Sequence, residues 1–124
     1  MLADAGLCRA AAAGLETVTI GTASGLSVQA ALARPSASAA PAVLLIHEWW
    51  GLNDQIKTVA AALAEAGYLA LAVDLYGGQV AATPDEAKAL MSAVDPGAAT
   101  DTLGSWIDWL AGHAEASGRV ATVG

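Results

Sequence analysis

Residues 42–51 read AVLLIHEWWG, and the fold turns on them. Ala42 to Ile46 form an unbroken aliphatic run that begins just after Pro41 and ends at a histidine. A run of that length predicts a β-strand covered on both faces. His47, Glu48, two indoles and Gly51 follow at once. A carboxylate and an imidazole therefore stand at the strand's carboxyl end, where ligands gather in open α/β sheets.

Downstream, LNDQIKTVAAALAEAG (52–67) has helical spacing. Asn53 or Asp54 can cap its start, Ile56, Val59, Ala60 and Leu63 recur on one face, and Gly67 supplies the stop. YLALAVDLYGG (68–78) predicts a second apolar strand that ends in Asp74 and a glycine turn. TPDEAKALMSAVDPG (83–97) opens with a capping box: Thr83 caps, Pro84 takes the first helical position and Glu86 reaches back. Ala87, Leu90, Met91 and Val94 form its apolar stripe. A third helix carries Leu103, Trp106, Ile107 and Leu110 at the same spacing, and RVATVG (119–124) predicts another buried strand.

Upstream, ETVTIGTASGLSVQAALARP (16–35) predicts an antiparallel hairpin around a glycine-containing turn, with Leu26, Val28, Ala30 and Leu32 alternating in its second strand. PSASAAP (35–41) is a surface loop ended by Pro41. The order is thus a hairpin, then strand, helix, strand, helices, strand. That pattern predicts an α/β fold in which parallel strands are joined by right-handed crossover helices. There is no internal repeat and no sign of a domain boundary after residue 41.

Composition narrows the function classes. A chain of 124 residues fits one small domain or part of a larger one. Its 56% hydrophobic and only 14% charged residues imply a very apolar fold or one with a piece missing. The net charge of -7, with five scattered basic residues, argues against nucleic acid and against an anionic membrane surface. One cysteine, Cys8, allows no internal disulfide. The leader MLADAGLCRAAAAGLE (1–16) has Asp4 early and Arg9 in its middle, which makes a poor secretory signal. Nothing approaches the roughly 18 uncharged apolar residues of a membrane span. The expectation is a cytoplasmic protein, with the place of residues 1–16 in the fold left open.

Several chemistries fail on their motifs. Gly51 stands where H-E-x-x-H would need its second histidine, and no other cluster has metal-ligand spacing, so no metal is expected. The turn after Ile46 lacks G-x-G-x-x-G and no G-K-[ST] occurs, so no nucleotide cofactor is expected either. GLSVQ (25–29) breaks G-x-S-x-G at Gln29 and runs into a strand. Two readings of Glu48 stay open. It can sit in a cleft above the sheet, where burial raises its pKa, or point to solvent at the rim while the indoles cap the core. His47 is either a base or a hydrogen-bonded structural residue.

Taken together, these motifs resemble the dienelactone hydrolases (carboxymethylenebutenolidases) of the α/β-hydrolase fold, from about Val18 to Gly124. The likeness is strongest over residues 42–78, where that family has an aliphatic strand, a Glu, one or two bulky residues, a Gly, an Asn before a helix, and later Asp-Leu-Tyr. WIDWL (106–110) followed by GRVATVG (118–124) is similar to the family's approach to its nucleophile. The resemblance implies a G-x-C-x-G-G elbow beginning at Gly124, with its cysteine and the Asp and His of a triad beyond this chain. Residues 17–124 are then the N-terminal part of an α/β-hydrolase domain, inactive alone, in an enzyme that cleaves a small carboxylic ester or lactone.

By the same resemblance, Glu48 is the carboxylate that contacts the nucleophilic thiol, and the backbone N–H of Trp49 helps form the oxyanion hole. Tyr76 lines the cleft or packs in the core. Dienelactone-cleaving members place an arginine just beyond Asp-Leu-Tyr. Gly77, Gly78 and Gln79 stand there instead and cannot supply a bidentate cation, which argues against a dienelactone substrate. The resemblance also puts RVATVG at the centre of a larger sheet. It leaves an edge open to a complementing C-terminal half, or to self-association. The alternatives are a non-catalytic docking or regulatory module, or one half of a split hydrolase.

Overall fold

The computed structural model describes residues 15–36, 40–113 and 116–124. In chain order they form β1 (Glu16–Gly21), β2 (Ser27–Ala33), β3 (Ala40–Ile46), α1 (Asp54–Glu65), β4 (Leu69–Val73), α2 (Pro84–Ala93), α3 (Pro96–Ala111) and β5 (Ala116–Val123). Cys8 and most of the leader lie outside the described residues. Leu15 packs beneath the sheet and Glu16 opens β1.

One five-stranded sheet has the order β1-β2-β4-β3-β5. The hairpin β1–β2 is antiparallel, as expected, and β3 runs parallel to both β4 and β5. The hairpin joins the parallel strands by pairing β2 antiparallel to β4, with Ala31 opposite Ala72. The β3–β5 register slips between Ala40 and Ala42. Pro41 sits at that point, inside the strand rather than ending the loop before it. It has no N–H to give the ladder, which is why prolines in strands go with irregularities.

In β4 the sequence LALAV sorts by size. Leu69, Leu71 and Val73 join Leu32 and Leu44 on one face, where Trp106 and Leu110 of α3 cover them. Ala70 and Ala72 join Ala31, Val43 and Leu45 on the other, under Ile56, Ala60 and Leu63 of α1. A strand buried on both faces cannot alternate polar with apolar, so it alternates large with small. The small side lets α1 lie close.

The caps follow the local rules. Asn53, of the two candidates, caps α1: its side-chain oxygen accepts from Ile56 N–H at 3.1 Å. Gly67, at φ +102°, ends α1 in a Schellman turn, with Tyr68 N–H on Leu63 O and Gly67 N–H on Ala64 O. Thr83 caps α2, but Glu86 reaches Ala82 N–H rather than that of Thr83. Asp95 caps α3 and precedes Pro96, which disfavours helix at the preceding residue and separates α2 from α3. The apolar stripes are narrower than the spacing suggests: Val59, Met91 and Ile107 are exposed. Among the described residues, no helix is long and apolar enough to cross a membrane.

Candidate active site

Strands β3 and β4 end side by side and release two loops, 47–53 and 74–83. Each is organised by its first residue. The buried Asp74 carboxylate accepts from Tyr76 N–H at 2.9 Å and from Gly78 N–H at 2.7 Å, which curls the DLYGG segment back on itself. His47, also buried, works between the loops. Its Nε2 lies 3.0 Å from Leu75 N and its Nδ1 lies 2.7 Å from Glu48 O. A backbone N–H can only donate, so Nε2 accepts and the ring proton sits on Nδ1, donating to Glu48 O. Both ring nitrogens are occupied by backbone. Of the two readings of His47, the structure gives the hydrogen-bonded one.

Three further contacts bind the loops together. Ala81 N–H donates to Trp50 O at 2.9 Å, and the His47 ring lies 4.7 Å from that of Tyr76. Gly51, at φ +97°, makes the closest approach. A Cβ there would meet Gln79 O at 2.7 Å and Tyr76 Cδ2 at 3.0 Å, so only glycine fits.

A cavity of about 300 Å³ opens at this junction, lined by His47, Glu48, Trp49, Tyr76, Met91 and Val94 among others. The three residues singled out by resemblance therefore meet at one place. Glu48 is exposed at the rim, and Trp49 and Trp50 are half-buried and stacked edge to face at 5.4 Å. Tyr76 is buried, and desolvation pushes its phenol above the usual tyrosine range. No Lys or Arg lines the cavity. Beyond Leu75 and Val94, which border both, lies a second cavity of about 490 Å³.

The peptide between Glu48 and Trp49 has a marked asymmetry. Its carbonyl accepts twice, from Gly51 N–H at 3.1 Å and from His47 Nδ1–H. Its N–H, on Trp49, meets no acceptor among the described residues. A planar trans peptide points its N–H opposite its C=O. Anchoring the carbonyl therefore fixes the direction of this N–H.

Sequence reasoning missed two things here. Met91 and Val94 looked like core positions of α2 but form the cavity wall. Asp74 reads in the sequence only as the end of its strand, but its carboxylate is spent on the backbone of its own loop. An Asp with two glycines three and four residues on is an Asx-turn signal that could have shown this.

A mixed sheet whose neighbouring parallel strands send their carboxyl-end loops into one cavity is the α/β-hydrolase arrangement, seen here in part. Residues 28–124 match the Dienelactone hydrolase family, and the chain belongs to it. It is 45% identical over 71 residues to a candidate carboxymethylenebutenolidase of Aquifex aeolicus and 39% identical over 71 residues to Protein usf of Aquifex pyrophilus. Each match covers 55% of this chain and 30% of the relative. A crystal structure from Klebsiella pneumoniae subsp. pneumoniae, described as a candidate dienelactone hydrolase, superposes with a TM-score of 0.71 at 26% identity, covering 88% of this chain and 49% of that one. A cold-adapted esterase from an Arctic intertidal metagenomic library shares the fold at a TM-score of 0.66 and 19% identity, over 87% of this chain and 48% of its own. The chain thus spans less than a third of these curated relatives and about half of the solved structures.

Proposed function

We propose that this chain carries the oxyanion loop and cleft floor of a carboxylic-ester or lactone hydrolase whose cysteine nucleophile follows Gly124. The observation behind this reading is the unpartnered Trp49 N–H, held beside a cavity by a doubly anchored carbonyl. Preorganised donors of this kind are what acyl transfer needs, because they meet the charge that develops on the carbonyl oxygen. In the proposed reaction a cysteine thiolate attacks the carbonyl carbon and the carbonyl electron pair moves onto oxygen, which then accepts a hydrogen bond from Trp49 N–H. Collapse expels the alkoxide and leaves a thioester, which water then hydrolyses. Glu48 contacts the thiol and influences its ionisation, and Tyr76 lines the substrate's path. Neutral Gly77, Gly78 and Gln79, with no cation in the cavity wall, favour an uncharged ester over an anionic lactone.

The outer edge of β5 supports the companion reading of one half of a split enzyme. β5 ends the strand order, and Val123 is 52% exposed. A further strand would cover that edge. The test joins residues 1–124 to the C-terminal half of the Klebsiella pneumoniae relative and also mixes the two as separate chains. Ester turnover by the chimera, none by the 124-residue chain, and a fall in kcat of about 10²–10³ in Trp49→Pro but not in Trp49→Phe are expected. Turnover by the 124-residue chain alone that survives removal of contaminants, or a folded chimera indifferent to Trp49→Pro, would overturn it. Activity on mixing selects the split form.

A further inference from the structure

We infer that His47 is the positioning residue of this loop: it acts as a fixed-tautomer clamp that sets the direction of the Trp49 N–H by holding the carbonyl of the same peptide. The inference rests on the oxyanion reading for its purpose, but its geometry stands apart from any catalysis.

The clamp has two jaws. On one side Nε2 accepts from Leu75 N–H at 3.0 Å, across 28 residues of sequence. That bond fixes the ring relative to the neighbouring strand end, whose loop is already curled by Asp74. On the other side Nδ1–H donates to Glu48 O at 2.7 Å. Tyr76 stacks obliquely on the ring and limits its rotation. The result ties the 48–49 peptide to the β4 loop through a rigid imidazole. The Gly51 N–H bond to the same carbonyl, at 3.1 Å, is a turn within the loop and moves with it, so it cannot supply this reference.

Only the neutral ring protonated on Nδ1 satisfies both jaws. The other tautomer, or an imidazolium, would set an N–H against Leu75 N–H. A general base would need one nitrogen facing the reactants, and here neither does.

Each jaw can be removed separately. His47→Asn places an amide near the Nδ1 position and keeps a donor for Glu48 O. His47→Gln extends an oxygen toward the Nε2 position and keeps an acceptor for Leu75. His47→Phe keeps the ring and loses both. In the ¹⁵N-labelled 124-residue chain, the long-range imidazole spectrum is expected to show the Nδ1–H tautomer. The backbone order parameter of Trp49 is expected to fall from about 0.85 to below about 0.6 in His47→Phe and His47→Gln, and to recover in His47→Asn. The Leu75 amide shift should move in Phe and Asn but stay close to wild type in Gln. An Nε2–H tautomer in the wild-type chain overturns the clamp, whatever the variants do. So does a Trp49 amide equally ordered in all folded variants. If the clamp signals appear while the chimera shows no turnover, the hydrolase reading fails and the clamp stands.

Discussion

Trp106 is the largest fully buried side chain among the described residues, seated under β3 and β4 with its ring edge to face on Trp109 at 5.5 Å. Its indole Nε1–H meets no acceptor among those residues. Removing the ring should open a cavity and cost about 3–5 kcal/mol, a large part of the roughly 5–15 kcal/mol that holds a small domain together. Trp106→Phe keeps most of the apolar volume and loses no hydrogen bond. Urea denaturation should therefore place it at roughly less than half the cost of Trp106→Ala. Equal losses would mean that the N–H has a partner after all. At this scale the sequence was a good guide to which residues gather: Glu48, Trp49 and Tyr76, singled out by the family resemblance, line one cavity. What each does was less legible. His47 read as a base or, more in keeping with a strand end, as a hydrogen-bonded structural residue, and the Leu75 N–H facing its Nε2 decided for the second.

The elements were written locally, because caps and stripes involve neighbours within a turn or two. Asn53, Thr83, Asp95 and Gly67 each do at a helix end what their residue type favours. How the elements dock was not local. The β1–β2 turn is held to α3 by Ser24 Oγ donating to Asp101 Oδ2 at 2.5 Å and by Ala23 N–H donating to Ser105 Oγ at 3.2 Å. The Ser24 hydroxyl, helped by Thr22, holds the Asp101 carboxyl below the usual aspartate range. The folded-state pKa is depressed, so this contribution is present above the unfolded value of about 3.9 and is lost as pH falls through the lower folded value. The melting-temperature gap between wild type and Asp101→Asn should therefore hold at neutral pH and close from about pH 4 downward. A gap that stays constant to pH 2 would show that the contact has no linked ionisation.

At the scale of the whole sheet, β5 is the last strand in the order among the described residues. β5 pairs only with β3 among the described strands, and Ala121 and Val123 are exposed beside it. An apolar edge of this kind invites pairing with another chain. Val123→Lys should shift the concentration at which the chain self-associates upward by about tenfold or more in sedimentation velocity, with the far-ultraviolet spectrum unchanged. No change would mean that association, if any, uses another surface.

By itself the sequence determined the α/β class, the buried runs of β3 and β4, the helix ends, and the residues gathered after Ile46. Those features rest on side-chain periodicity and on hydrogen bonds between near neighbours, which a linear reading can follow. Only the tertiary structure decided that β2 lies against β4, that Asp74 serves its own loop, and that His47 joins two strand ends. Each of those depends on a contact between distant segments, or on which of several acceptors a donor reaches. A local pattern leaves such choices open until packing closes them.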